Sequence, residues 1–242
     1  MKISEYFYSI QGEGKRTGFP SFFIRTNYCN LRCKFKSGNL CDTPYTSWNP
    51  EDNNLGDIPV KDLADFYRSY SGSDIVITGG EPAMQSDELS QLCKELKNIS
   101  AESYITVETN GTFTGEFLQY IDLLSISPKL KNSIPFGTAH EKSHNINRIN
   151  IEVLKSFHLL HKSGKIDIQW KFVICGSDDI DEIFELKNLI GFENKDVYLM
   201  PEGITSEEIS SKRIDVINLC LKHKFNYSGR LHIMVWGNKR GV

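Results

Sequence analysis

Short runs of β-branched and aromatic residues recur along the chain, separated by stretches whose apolar positions fall three and four apart. The runs SFFIRT (21–26), DIVIT (74–78), SYITVE (103–108), DLLSIS (122–127), IQWKFVI (168–174), DVYLM (196–200) and RLHIMV (230–235) predict strands. Leu89, Leu92, Cys93 and Leu96 keep helical spacing, as do Ile214, Ile217, Cys220 and Leu221, and Thr205 with Glu208 predicts a capping box at the start of the last helix. Strand and helix in alternation mean βαβ units, a parallel sheet, and a site at the carboxyl ends of its strands. About six core strands are available against the eight of a closed barrel, so the expected fold is α/β, a partial TIM-like barrel. No repeat, low-complexity tract or linker divides residues 1–242, which predicts one domain. The polar stretches 36–57 and 131–147 read as long loops of the kind that carry function.

Composition narrows the classes of partner. The chain has 242 residues, 39% hydrophobic and 24% charged, with a net charge of −3. It lacks the basic surface that nucleic-acid binding requires. No apolar run approaches the 18 or so residues that span a bilayer, and MKISEYFYSIQGEG has no signal-peptide core, so a cytoplasmic protein without a membrane partner is expected. Thiols stay reduced there, and clustered cysteines then point to metal or redox chemistry instead of disulfides.

Six cysteines divide into two groups. Cys93 and Cys220 sit on helical apolar stripes and Cys175 closes an apolar strand, which predicts inert packing. Cys29, Cys33 and Cys41 lie instead in the polar segment NYCNLRCKFKSGNLCDT, where no packing pattern explains them. Three thiolates suit two kinds of site. A structural zinc needs a fourth ligand, and the nearest histidine in sequence is His140. An iron–sulfur cluster held by three cysteines leaves one iron open to a small-molecule ligand. Spacing favours the cluster and leaves zinc open. Among the histidines, His140 and His144 in a polar loop, His158 and His161 on a helix and His223 near a helix end suit solvated or capping roles; His232, in the last predicted strand, is flagged for the site.

The residues then carry a family resemblance. CNLRC with CDT resembles the cluster loop of radical S-adenosylmethionine enzymes, and TGGEP (78–82) after DIVIT resembles their segment for the methionine amino group. SIQGEG (9–14), Arg25, CDT (41–43), ETNGT (108–112), SPK (127–129) and the terminal WGNKRGV together resemble the 7-carboxy-7-deazaguanine synthase family, from about residue 5 onward. Seven residues, KFKSGNL, separate Cys33 from Cys41 where the family has two, and Leu40 replaces the aromatic that usually precedes the third cysteine. A polar insertion of that length can loop outward at little entropic cost.

The resemblance implies a radical S-adenosylmethionine core with a [4Fe–4S] cluster on Cys29, Cys33 and Cys41, and Mg2+ on Thr43. It implies a pterin substrate, 6-carboxy-5,6,7,8-tetrahydropterin, met by Ile10, Gln11, Gly12 and Glu13, by Arg25 through the carboxylate, by Thr78 beneath the ring, and by Val242 at a chain end folded inward. S-adenosylmethionine falls to Gly79, Gly80 and Glu81, to Ser127, Pro128 and Lys129, and to the looser match Met200, Pro201, Glu202 and Gly203. The implied reaction begins with hydrogen abstraction at C6 and contracts the ring with loss of ammonia. An electron donor such as flavodoxin and a homodimer are expected by analogy. Read without the family, Gly79–Gly80 is equally a strand-to-helix bend, Thr43 a turn residue before Pro44, and Arg25 half of an ion pair. Two rival functions remain at this stage: an activase that makes a glycyl radical on a partner protein, and a non-enzymatic zinc-binding module.

Overall fold

The computed structural model describes residues 1–52 and 54–242; position 53, inside the predicted loop 36–57, lies outside the described residues. The strands are β1 (Lys2–Ile10), β2 (Pro20–Thr26), β3 (Gly56–Asp57), β4 (Asp74–Gly79), β5 (Ile105–Thr109), β6 (Leu123–Ile126), β7 (Asp167–Ile174), β8 (Val197–Pro201) and β9 (Asn226–Tyr227). Among the described residues they form one sheet in the order β3-β1-β2-β4-β5-β6-β7-β8-β9. Pairing is parallel from β2 through β9 and antiparallel where β1 meets β2 and β3. The sheet does not close, and the architecture is a partial TIM-like barrel.

Period-two patterning on these strands separates two environments. Ile24, Ile77, Val107, Leu124, Ile168 and Trp170 face the helices and are fully buried in the core cluster. The intervening positions, Arg25, Thr78, Glu108, Ser125, Gln169 and Lys171, form a polar inner layer: Arg25 is in register with Thr78, Glu108 with Ser125, and Ser125 with Gln169. The apolar side is covered by α1 (Val60–Tyr67), α2 (Ser86–Ile99), α4 (Ile151–Lys162), α5 (Asp179–Ile190) and α6 (Ser206–His223), with the short α3 (Glu141–Asn147) and α7 (Leu231–Trp236) at the rim. On α2 the predicted stripe Leu89, Leu92, Cys93 and Leu96 is fully buried, each leucine contributing about 1.5–3 kcal/mol.

Several expectations change. RLHIMV is not a strand: residues 231–236 form α7, because β9 is only two residues long and Leu231 instead donates its N–H to Gly12 O at 3.0 Å. Tertiary anchoring there overrides β propensity. The N-terminal strand β1, absent from the predicted set, caps the parallel sheet. The stretch 131–147 is not all loop, since it holds a 3-10 turn (Lys131–Ser133) and α3. On α6, Ile214 and Leu221 are exposed and the buried stripe is Ile209, Val216 and Cys220. Thr205 caps α6 by accepting from Glu208 N, but the Glu208 carboxylate reaches Ile204 N at 2.7 Å. Cys175 is half-buried just beyond β7, not packed in the core. His144 is buried on α3, not solvated, and His158 is buried on α4. Among the described residues no helix is long and apolar enough to cross a membrane.

Candidate functional site

At the carboxyl ends of the parallel strands a cavity of about 480 Å³ opens, walled by β1, the inner layer, the cysteine segment and residues 238–242. The cysteine segment leaves the end of β2 and reaches the cavity with all three thiols. The seven-residue gap folds as a hairpin whose base is the second and third cysteine: Cys41 N donates to Cys33 O at 3.1 Å, Lys34 bridges Leu40, and Phe35 N donates to Asn39 O at 2.8 Å. Gly38, at φ +95°, makes the turn that an L side chain resists. The long insertion therefore projects as a loop while its ends stay together.

The thiols face one another closely enough for their charges to interact, and burial pushes each upward, Cys29 to about 12 and Cys33 well above the ordinary thiol value. Thiols so disposed stay protonated until a metal displaces the proton. Leu31 N donates to Cys29 Sγ at 3.4 Å, and the Lys129 ammonium lowers the cost of thiolate at all three. Lys129 donates to Ser127 Oγ at 2.7 Å and, among the described residues, has no carboxylate within ion-pair distance. Among the described residues no three His, Cys, Asp or Glu side chains converge tightly enough for a single ion. A cavity wall with three thiols, one buried and two half-buried, and an uncompensated cation fits a polynuclear, negatively charged group.

The cavity wall also carries an ionic network. Glu13, on the loop after β1, accepts from Lys171 Nζ at 2.5 Å and from Arg230 Nε at 3.0 Å. Arg230 also binds the carboxylate of Asp42, beside Cys41, and Gly203 O at 2.6 Å. Glu108 accepts from Thr78 Oγ1 at 2.9 Å and Gln11 Nε2 at 3.2 Å, with Lys171 Nζ at 3.6 Å. Burial alone would raise Glu13 and Asp42, but the adjacent cations outweigh it and hold both carboxyls below the usual range. Burial would likewise lower Lys171, and Glu108 with Glu13 reverses that, so the ammonium persists. Arg25 Nε donates to Glu5 Oε1 at 2.7 Å, Glu5 being shared with Tyr45 and Arg240. The Arg240 bond also ties the 238–242 segment, and with it Val242, to β1.

Of the residues singled out from sequence, all but Glu81, Pro128 and Pro201 line this cavity. Glu81 is fully buried and its carboxylate accepts from Ala83 N, Thr109 Oγ1 and Asn110 N at 2.6–3.0 Å, which fixes the turn after β4 to the end of β5. Gly79, at φ +128°, and Gly80 are required by the fold itself: a Cβ on either would strike the backbone of Thr26 or Tyr28. Thr43 lies against Cys41 Sγ at 3.5 Å. Glu202 borders the cavity, but its carboxylate is engaged by the hairpin, accepting from Ser37 Oγ and Asn39 Nδ2. His232 is in the wall, packed on Gly12. Sequence reasoning missed Lys171 and Arg230, and gave no role to Asp42 and Glu108, which it met only inside CDT (41–43) and ETNGT (108–112). The signal for Lys171 was present: it is a lone charge inside the apolar run IQWKFVI, at the same parity as Gln169.

Behind Cys29 a smaller cavity of about 240 Å³ is lined by Asn30, Arg32, His140, Ser143 and His144. His144 Nδ1 accepts from Arg32 N at 3.2 Å and Nε2 meets Ser133 Oγ at 3.2 Å, so the neutral ring anchors the cysteine segment. Burial, with Arg148 and Lys129, lowers its pKa to about 4. The unfolded chain takes this proton near pH 6.5 and the folded chain does not, so stability falls as pH drops from 6.5 toward 4, by up to about 1.4 kcal/mol per pH unit. Urea unfolding at pH 7 and pH 5 is expected to show a smaller loss in His144→Asn than in the parent; equal losses would assign the acid sensitivity elsewhere.

Comparison with known proteins agrees with this geometry. Residues 23–211 match the Radical SAM superfamily. The 7-carboxy-7-deazaguanine synthase of Halobacterium salinarum is 37% identical, covering 98% of this chain and 91% of that protein. The synthase of the same name from Rhodopirellula baltica is 38% identical over 99% and 88%. The crystal structure of QueE from Escherichia coli superposes with a TM-score of 0.65 at 22% identity, over 95% of this chain and 93% of that one, which shows the shared fold. The chain therefore belongs to the radical S-adenosylmethionine superfamily and, within it, to the family of 7-carboxy-7-deazaguanine synthases.

Proposed function

We propose that residues 1–242 act as one radical S-adenosylmethionine domain, a lyase that converts 6-carboxy-5,6,7,8-tetrahydropterin into 7-carboxy-7-deazaguanine with loss of ammonia. The observation that carries this reading is a single cavity lined both by three thiols, Cys33 buried and Cys29 and Cys41 half-buried, and by the polar layer Arg25, Thr78 and Glu108. When bound, the cluster and S-adenosylmethionine supply the one-electron chemistry that removes hydrogen from C6 of the pterin. Cys29, Cys33 and Cys41 hold the cluster. Gly79, Gly80, Ser127, Lys129, Met200 and Gly203 border the S-adenosylmethionine space, where the Lys129 ammonium suits a carboxylate.

On the substrate side, Arg25 keeps its terminal nitrogens for the pterin carboxylate while Nε is held by Glu5. Thr43 would supply a hard oxygen to Mg2+. Gln11, with Ile10 and Gly12, and the Thr78 hydroxyl meet the polar edge and face of the ring, and Glu108 orients both side chains by accepting from them. Glu13 shapes this bed from within the network, its charge spent on Lys171 and Arg230. Val242 closes the substrate end. The working form is a cytoplasmic homodimer reduced by a donor such as flavodoxin. Neither a glycyl-radical activase nor a zinc module calls for so polar a bed.

The test is an anaerobic assay of reconstituted protein with dithionite, S-adenosylmethionine, Mg2+ and the carboxylated tetrahydropterin, read by mass spectrometry. 7-Carboxy-7-deazaguanine is the expected product. Cleavage of S-adenosylmethionine without any deazapurine would overturn the substrate while keeping the superfamily chemistry.

A further inference from the structure

The hairpin between Cys33 and Cys41 is fixed at both ends. At its base Trp48 Nε1 donates to Cys33 O at 3.1 Å and Lys34 N to Ser133 O at 3.0 Å. At its tip Ser37 Oγ and Asn39 Nδ2 donate to Glu202 Oε1 at 3.1 and 2.8 Å, and Asn39 Nδ2 reaches Glu208 Oε2 at 3.1 Å. Glu202 is only 2% exposed, and its other oxygen takes the ammonium of Lys212 from α6. Glu208 in turn is set by the α6 N-terminus through Ile204 N. Two carboxylates on the β8–α6 side thus converge on one amide of the inserted loop, and the hairpin carries Phe35 and Leu40 into the cavity wall. A free loop of this length would sample many positions for its second cysteine, whereas one anchored at base and tip does not.

We propose that Asn39, Glu202 and Glu208 form a clamp that positions the Cys41 thiol against Cys29 and Cys33, so that the insertion is built into the metal site instead of hanging from it. The proposal deepens the cluster reading above and rests on it only for the identity of the group held. Glu202 is then a positioning residue for the third thiol, and its carboxylate is not free for a ligand.

The test uses full-length Asn39→Ala and Asn39→Asp chains. Asn39→Ala removes the shared donor, and Asn39→Asp sets a carboxylate against Glu202 and Glu208. Apo protein is treated with iodoacetamide under anaerobic, non-denaturing conditions. Cys29 and Cys41 are then quantified separately, since trypsin cleavage after Arg25, Arg32 and Lys36 puts them on different peptides. Far-UV circular dichroism and melting temperature confirm that the variants fold. Loss of a hydrogen bond to a charged acceptor predicts roughly tenfold faster alkylation of Cys41 in Asn39→Ala, more in Asn39→Asp, and no change at Cys29. Iron and sulfide retained after reconstitution and desalting are expected to fall in the same order, and Asn39→Gln to recover part of both. Unchanged Cys41 alkylation in both variants overturns the clamp. If the parent chain itself retains no iron, the cluster reading fails, and the alkylation rates still decide whether the clamp exists.

Discussion

Cys33→Ala is expected to fold, retain little iron after reconstitution and form no deazapurine. Cys33 is 5% exposed at the base of the hairpin, and its backbone carbonyl, which accepts from both Cys41 N and Trp48 Nε1, survives the substitution. Only the sulfur is lost. The stability cost should therefore be about 1 kcal/mol, that of removing one buried apolar atom, while a site left with Cys29 and Cys41 cannot fix a cluster in one orientation. Iron and sulfide analysis, absorbance near 400 nm and mass-spectrometric product detection check this. A variant with full iron content and turnover would show that the long gap had moved ligation to another residue.

Lys171→Met is the second large effect, and it falls on stability as well as turnover. The Lys171 ammonium is 6% exposed and stands between the carboxylates of Glu13 and Glu108, at 2.5 and 3.6 Å. Methionine has similar length and no charge, so packing is kept and two carboxylates, 11% and 22% exposed, lose a shared cation. Breaking a buried pair by removing one partner costs about 3–5 kcal/mol. For a chain of this size that corresponds to a fall in melting temperature of roughly 6–20 °C. The pH dependence should move with it. In the parent chain Glu13 titrates below its unfolded value, so its contribution is present above the ordinary carboxylate range and lost as pH falls through the folded value. Without Lys171 that loss begins at higher pH. Glu108, the acceptor that orients Gln11 and Thr78, loses the cation beside it and is held less firmly, so the substrate's KM should rise along with the fall in kcat. A melting temperature and acid midpoint unchanged from the parent would show that Glu13 and Glu108 are compensated by Arg230, Gln11 and Thr78 alone.

Much of the architecture was legible because it depends on short-range periodicity. Six predicted strands lie within one or two residues of β2, β4, β5, β6, β7 and β8, since period-two alternation with a helix-facing apolar row is written directly in the sequence. The stripe on α2 was equally plain. The seventh run failed for a physical reason: residues 231–236 are β-formers by composition, but the sheet has ended and Leu231 is held by Gly12, more than two hundred residues away in sequence. Cys175 was misjudged because β7 ends one residue earlier, at Ile174, and the turn that follows leaves its side chain half-buried.

Sequence by itself determined the alternation that builds the sheet, the three clustered cysteines apart from Cys93 and Cys220 that pack, and the motifs whose order along the chain marks the family. Those are properties of residue type and spacing, conveyed by local propensity and by chemistry that only a few side chains can perform. Tertiary structure alone decided which charges meet. Glu13 finds Lys171 and Arg230, Arg230 finds Asp42, and Glu202 finds Asn39 across separations of about 160 to 220 residues. It also decided that the long gap closes, because the bond from Cys41 N to Cys33 O and the tip contacts to β8 and α6 exist only once distant strands stand side by side. Ion pairing and loop closure depend on distance through space, and a linear sequence carries that distance only after the sheet has brought its strands together.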